Sequence, residues 1–206
     1  MIFSTVKASV TAILANAAVG RYRVSGYQER NISDEEVARS DRLVKVYYKR
    51  GDFSRAASGR GPFAHDVTLN IELTVSEPAT CDLTVLHDPM ATPGEIAAAI
   101  AAMEPAEARA DDAMDLLWSI VFEELMKGDN IDLGVGFLVA NRWIPSFEKG
   151  DVIPRGRYAV LTGDTTLSFR VEEDVESTDT NELEFVDVTL TLAEDTDEKA
   201  GVIEVF

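Results

Sequence analysis

Between Ala106 and Lys127, apolar residues occupy almost the whole circumference of one helical segment, and this limits what the chain can become. Asp112, Asp115, Ser119 and Glu123 make a narrow polar stripe, while Leu116, Leu117, Trp118, Ile120, Val121, Phe122 and Leu125 fill most of the remainder. A surface helix hides one apolar stripe, whereas a helix apolar on several sides needs cover on more than one. The segment therefore lies under a sheet, or is divided between a sheet and a subunit contact. Upstream, Thr92-Pro93-Gly94-Glu95 has the chemistry of a helix start: a threonine cap, proline at the first helical position and glutamate to complete a capping box. Pro105 is expected to interrupt or restart that helix. Gly128-Asp129-Asn130 is expected to end it.

The sheet that such a helix needs is legible on both sides of it. Val67, Leu69, Ile71, Leu73 and Val75 alternate with polar residues, the period of a half-buried strand. Leu43 to Tyr48 has strand composition, and the Gly-, Ser- and Arg-bearing stretch from Lys49 to Pro62 reads as the flexible loop of an antiparallel hairpin. Further strands are expected at 133–142, 158–161, 166–171 and 183–192, with Gly163-Asp164 as a turn, and 202–206 as a possible strand edge. At the other end, Phe3, Val6, Val10, Ile13, Leu14 and Ala17 have amphipathic spacing, so Ile2 to Ala18 reads as a helix rather than a signal peptide, despite Ala15-Asn16-Ala17. Arg21 to Arg30 reads as an extended connection, and residues 31–36 as a short helical turn. The predicted class is α/β in the α+β sense: a mixed, mainly antiparallel sheet flanked by helices.

With 206 residues and 46% apolar content, the chain can bury one sizeable core. It is read as one domain, 1–206, with a flexible Arg/Gly loop at 50–62 and an acidic, β-rich part from about residue 173. The net charge of −18 is uneven. Residues 1–60 hold 11 Lys and Arg against 6 Asp and Glu, whereas from Glu173 onward 12 carboxylates face a single lysine. Such a field opposes nonspecific phosphate binding, which needs cations to displace counterions.

The motifs of catalysis are weak. His65 and His87 each adjoin an aspartate, but neither accompanies a Gly-x-Ser-x-Gly turn or a second histidine at zinc spacing. Asp111-Asp112 precedes an apolar helical run, where a macrodipole favours carboxylates. Gly134-Val135-Gly136 lacks the third glycine of a dinucleotide loop, and Ser58-Gly59-Arg60-Gly61 lacks the phosphate-loop lysine. Cys81 is the only cysteine, so no internal disulfide or thiolate cluster is available. No enzyme activity, metal or cofactor is predicted. The residues expected to carry function are those suited to contact: Arg50, Phe53, Arg55 and Arg60 as a basic tip, and Trp118, Phe122 and Trp143 as apolar anchors of a subunit or partner interface. A basic tip on an acidic flank of the next copy is a head-to-tail contact, which closes into a ring when the rotation permits.

The order of elements carries a resemblance. A leading helix, a strand, an Arg/Gly-rich loop and an alternating strand precede the helices and a late antiparallel strand set, punctuated by Trp143-Ile144-Pro145 and Gly156-Arg157-Tyr158. This order resembles the tail terminator (tail completion) proteins of long-tailed bacteriophages and the related neck and minor tail proteins. The resemblance implies a ring, usually a hexamer, that caps the tail tube and meets tail tube and neck or connector proteins. It further implies location in the virion tail after assembly in the host cytoplasm, with no membrane contact. DNA would pass through without specific binding. The competing expectation is an acidic adaptor that captures a basic protein.

Overall fold

The computed structural model describes residues 2–18, 21–26, 42–54, 63–130, 133 and 139–173. All of them fall in one compact unit, Met1–Asp174. Helix α1 (Ile2–Ala18) leads into the short strand β1 (Arg23–Ser25), then β2 (Arg42–Ser54) and β3 (Phe63–Pro78). A 3-10 turn at Leu83–His87 precedes α2 (Pro93–Met126), and β4 (Val139–Trp143), β5 (Phe147–Arg155) and β6 (Tyr158–Glu173) complete the described chain. The α+β class is as expected: six strands form one mostly antiparallel sheet in the order β1-β2-β3-β6-β4, with β5 also paired to β6. Among the described strands, only β1 runs parallel to its neighbour β2.

The alternation in β3 sorts the two faces of the sheet. Val67, Leu69, Ile71, Leu73 and Val75 join one core with Val6, Val10 and Leu14 of α1 and with Met114, Leu117, Val121 and Leu125 of α2. Both helices therefore pack on the same face, α1 against β1 and β2, α2 against β3 and β6. Burying each such Val or Leu stabilises the fold by about 1.5–3 kcal/mol, which overrides the low intrinsic preference of valine for α1. Tyr22 Oη donates to the Leu14 carbonyl at 3.0 Å, tying the chain after α1 to the last turn. On the opposite face, Lys45 is 3% exposed and bridges Glu72 at 2.5 Å. Beside it Asn70 Nδ2 donates to Tyr47 Oη at 2.6 Å and to Asp164 at 3.3 Å.

Several local expectations are corrected. Gly163-Asp164 is not a turn: β6 runs unbroken from Tyr158 to Glu173, because Gly163 pairs with Leu73 of β3 on one side and Lys149 of β5 on the other. The turn lies at Gly156, with φ +54°, where a residue without Cβ adopts the left-handed region freely. Pro105 does not interrupt the helix. It sits on the exposed side of a continuous α2, while Ala99, Ala102, Ala106 and Ala110 pin both flanking turns to the core. The hairpin loop is shorter than 50–62, since β2 extends to Ser54 and β3 starts at Phe63; their pairing continues past a bulge between Tyr48 and Arg50. Arg50 and Phe53 are thus strand residues. Of the strand expected at 133–142, only Val139–Trp143 forms among the described residues, and Leu133 lies in a turn at φ +51°. The extended connection after α1 contains β1, and β5 was not anticipated. Expectations at 31–36, 55–62 with Arg55 and Arg60, 134–136, 183–192 and 202–206 fall outside the described residues, as does the acidic part beyond Glu173. Among the described residues, no helix is long and apolar enough to cross a membrane.

Candidate assembly surface

Helix α2 presents three distinct sides. Its core side is filled by residues such as Ala106, Ala110, Leu117 and Val121, all fully buried. Its other sides are covered only in part by the described residues: Leu116 remains 52% exposed and Phe122 41% exposed. The helix starts as the sequence dictates, with Thr92 Oγ1 accepting from Glu95 N at 3.3 Å and Glu95 accepting from Thr92 N at 2.8 Å. The Thr92 hydroxyl, which donates to the Glu95 carboxylate at 2.7 Å, and then the Thr92 N–H hold that carboxyl below the ordinary range. At the other end Arg142 donates to the carbonyls of Asn130 and Lys127, and Asn130 Nδ2 donates to the Glu124 carbonyl at 2.8 Å. A cation on terminal carbonyls also complements the negative end of the helix dipole.

The second side of α2 faces β5. Lys149 reaches Asp111 at 2.7 Å and Asp115 at 2.6 Å, one helical turn apart, and both hydrogen bonds raise its pKa. Next to this clamp the ring of Phe147 stacks on Trp118, with centroids 4.4 Å apart and planes within 4°, and Phe122 tilts against Trp118 at 5.5 Å. Phe147 lies directly over Gly163, where a Cβ would come within 2.7 Å of its ring. The absent side chain on β6 is what lets this aromatic seat form.

The third side is an exposed stripe. Asp112, Leu116, Ser119 and Glu123 recur at three- and four-residue intervals, so they line one face. Its upper end opens on a shallow notch of about 260 Å³, lined by Arg42 at the start of β2, Glu77 at the end of β3, and Arg109, Asp112, Ala113 and Leu116 of α2. Arg109 is already engaged, donating to the Pro78 carbonyl at 2.6 Å and lying 3.5 Å from Glu77. Over its whole length α2 carries eight carboxylates and one basic residue.

Of the residues expected to carry contact, the structure brings Trp118 and Phe122 together. Trp143 stands apart at the end of β4, 44% exposed, opposite Ser168, whose hydroxyl meets Thr68 on the polar face of the sheet. Arg50 lies in β2 opposite Thr68 and Phe53 opposite His65, neither on the elements that carry α2. Sequence reading did not find Phe147, Lys149 or Gly163. Their partners lie on other elements, and no local pattern marks them. Among the described residues, no cluster of His, Cys, Asp and Glu is placed to hold a metal ion. His87 ends the 3-10 turn at the surface, and Asp88 spends an oxygen on Met90 N at 2.9 Å. Among the described residues, Leu116 and Phe122 are large apolar side chains exposed on a helix rich in carboxylates. No protein-family model matches the chain, and no curated protein matches it.

Proposed function

We propose that this chain is a structural subunit of a phage-type tail, assembling into a ring that terminates the tail tube and joins it to the neck. The observation that carries the reading is the surplus apolar surface of α2. Its core side is complete, yet Leu116 and Phe122 stay half exposed on a helix held rigid at both ends. A lone chain gains nothing from that exposure, and a subunit contact gains about 25 cal/mol for each Å² covered. The element order of the tail terminator resemblance supplies the biological setting. The acidic helix suits it, because a negative wall gives passing DNA phosphates no cation to hold.

Native mass spectrometry of the purified protein, with negative-stain microscopy of the same sample, tests the reading. The expected result is one closed ring stoichiometry, a hexamer, and end-on binding to tail tubes. A monomer at every concentration, also with tail tube protein present, refutes it. A monomer that instead captures a basic protein, with affinity falling as salt rises, establishes the acidic adaptor in its place.

A further inference from the structure

We infer that the stripe on α2 is the acceptor for a basic knuckle on a second copy of this chain, formed by Tyr48, Lys49 and Arg50 at the β2 bulge; this rests on the assembly reading above. A regular strand alternates its side chains between two faces. Here Tyr48 pairs with Leu69 and Arg50 with Thr68, so Lys49 is the extra residue of a bulge. Three consecutive residues reach solvent as a result, Tyr48 at 43% exposure with Lys49 and Arg50 beside it. The knuckle therefore presents two cations and an aromatic ring at one point of the hairpin.

The acceptor has the complementary chemistry. Asp112 and Leu116 stand one turn apart on the exposed stripe, a carboxylate beside an uncovered apolar side chain at the lip of the notch. Lys49 of the knuckle would pair with Asp112 while the Tyr48 ring covers Leu116. Within one chain the two surfaces cannot meet. Arg42 lines the notch, and Tyr48 lies six residues further along the same strand, a span of about 20 Å. A patch and its complement at separate places on one molecule make a heterologous contact, the kind that builds rings.

A charge-swap cycle tests this on the full-length protein. Lys49→Glu and Asp112→Lys are made singly and together, and association is followed by sedimentation at several salt concentrations. Each single reversal should weaken association at least tenfold, and Lys49→Glu should do so without moving the melting temperature of the monomer, because Lys49 is exposed. The double variant, which re-forms the pair in the opposite sense, should recover to within about threefold of wild type. An equimolar mixture of the two single variants should also assemble, with both chains in each oligomer. Wild-type oligomers that survive either reversal, or reversals that do not rescue each other, overturn this pairing and leave the assembly reading intact. A wild-type chain that is monomeric throughout removes both.

Discussion

Replacing Gly163 with alanine adds one methyl group at a crowded point of the sheet. The new Cβ would stand 2.7 Å and 2.8 Å from two ring carbons of Phe147 and 3.3 Å from the sulfur of Met114. Such approaches are too close, so the ring must move. It cannot move freely, because it is stacked on Trp118 with centroids 4.4 Å apart. Overpacking of this sort costs about 1–3 kcal/mol, and losing the stack adds about 0.5–1.5 kcal/mol. Restricting the unfolded chain returns about 0.4–1 kcal/mol. The net expectation is a loss of about 0.5–4 kcal/mol, or a fall in Tm of roughly 1–16 °C for a domain of this size. Urea unfolding should show a lower midpoint with an unchanged slope. The decisive measurement is the same substitution in a Phe147→Ala background. There only the Met114 sulfur at 3.3 Å remains close to the methyl group, and the cost of Gly163→Ala should fall to near zero. An equal cost in both backgrounds would refute the idea that the aromatic seat is what requires glycine.

Pro105→Ala should stabilise the protein by about 1–3 kcal/mol in the same urea assay, since it restores a helical N–H at an exposed position and removes the clash with the preceding turn. Arg142→Ala should cost about 1–2 kcal/mol, because the Lys127 and Asn130 carbonyls just past α2 lose a charged donor; an Arg142→Lys variant should recover part of that loss. Tyr22 supplies a pH dependence. Burial, then the nearby Glu124 carboxylate, push its phenol up to about 12, above the ordinary value of 10.0. The folded state thus favours the neutral phenol, so this contribution is complete below pH 10 and is lost as pH rises from 10 towards 12. Tyr22→Phe should be less stable than wild type at pH 7 by about 1 kcal/mol, through the lost bond to Leu14. The difference should shrink or reverse above pH 11, and a phenolate absorbance titration that finds Tyr22 ionising near 10 would contradict the assignment.

What the sequence revealed, and what it hid, follows from how far each element depends on its own residues. α1, the start of α2 and β3 were legible because their burial repeats at their own period and their caps lie within four residues. β5 was not. Glu148, Lys149, Gly150, Asp151 and Pro154 have no alternation, and the strand exists because β6 offers a free edge for it; charge and proline on such an outer strand also discourage stray pairing. Gly163-Asp164 has genuine turn chemistry, overruled by neighbours on both sides. For the candidate surface, the excess of apolar residues at Trp118 and Phe122 was visible in the helical pattern. The Lys149 clamp was invisible, since Asp111 and Asp115 lie more than thirty residues away in the chain.

The central position of β6 also sets a timetable for the molecule's birth. Its pairing with β3 joins Phe63 to Glu173 and Pro78 to Tyr158, so the middle seam of the sheet cannot be sewn until some eighty further residues have left the ribosome. At about 5–20 residues per second, β3 waits several seconds with one long margin of unpaired N–H and C=O groups bare. Pairings this distant slow folding and invite wrong partners. A chain made in many copies at one place, each holding open the same margin, would profit from an early-formed α1 and α2 shielding the apolar face while the margin waits.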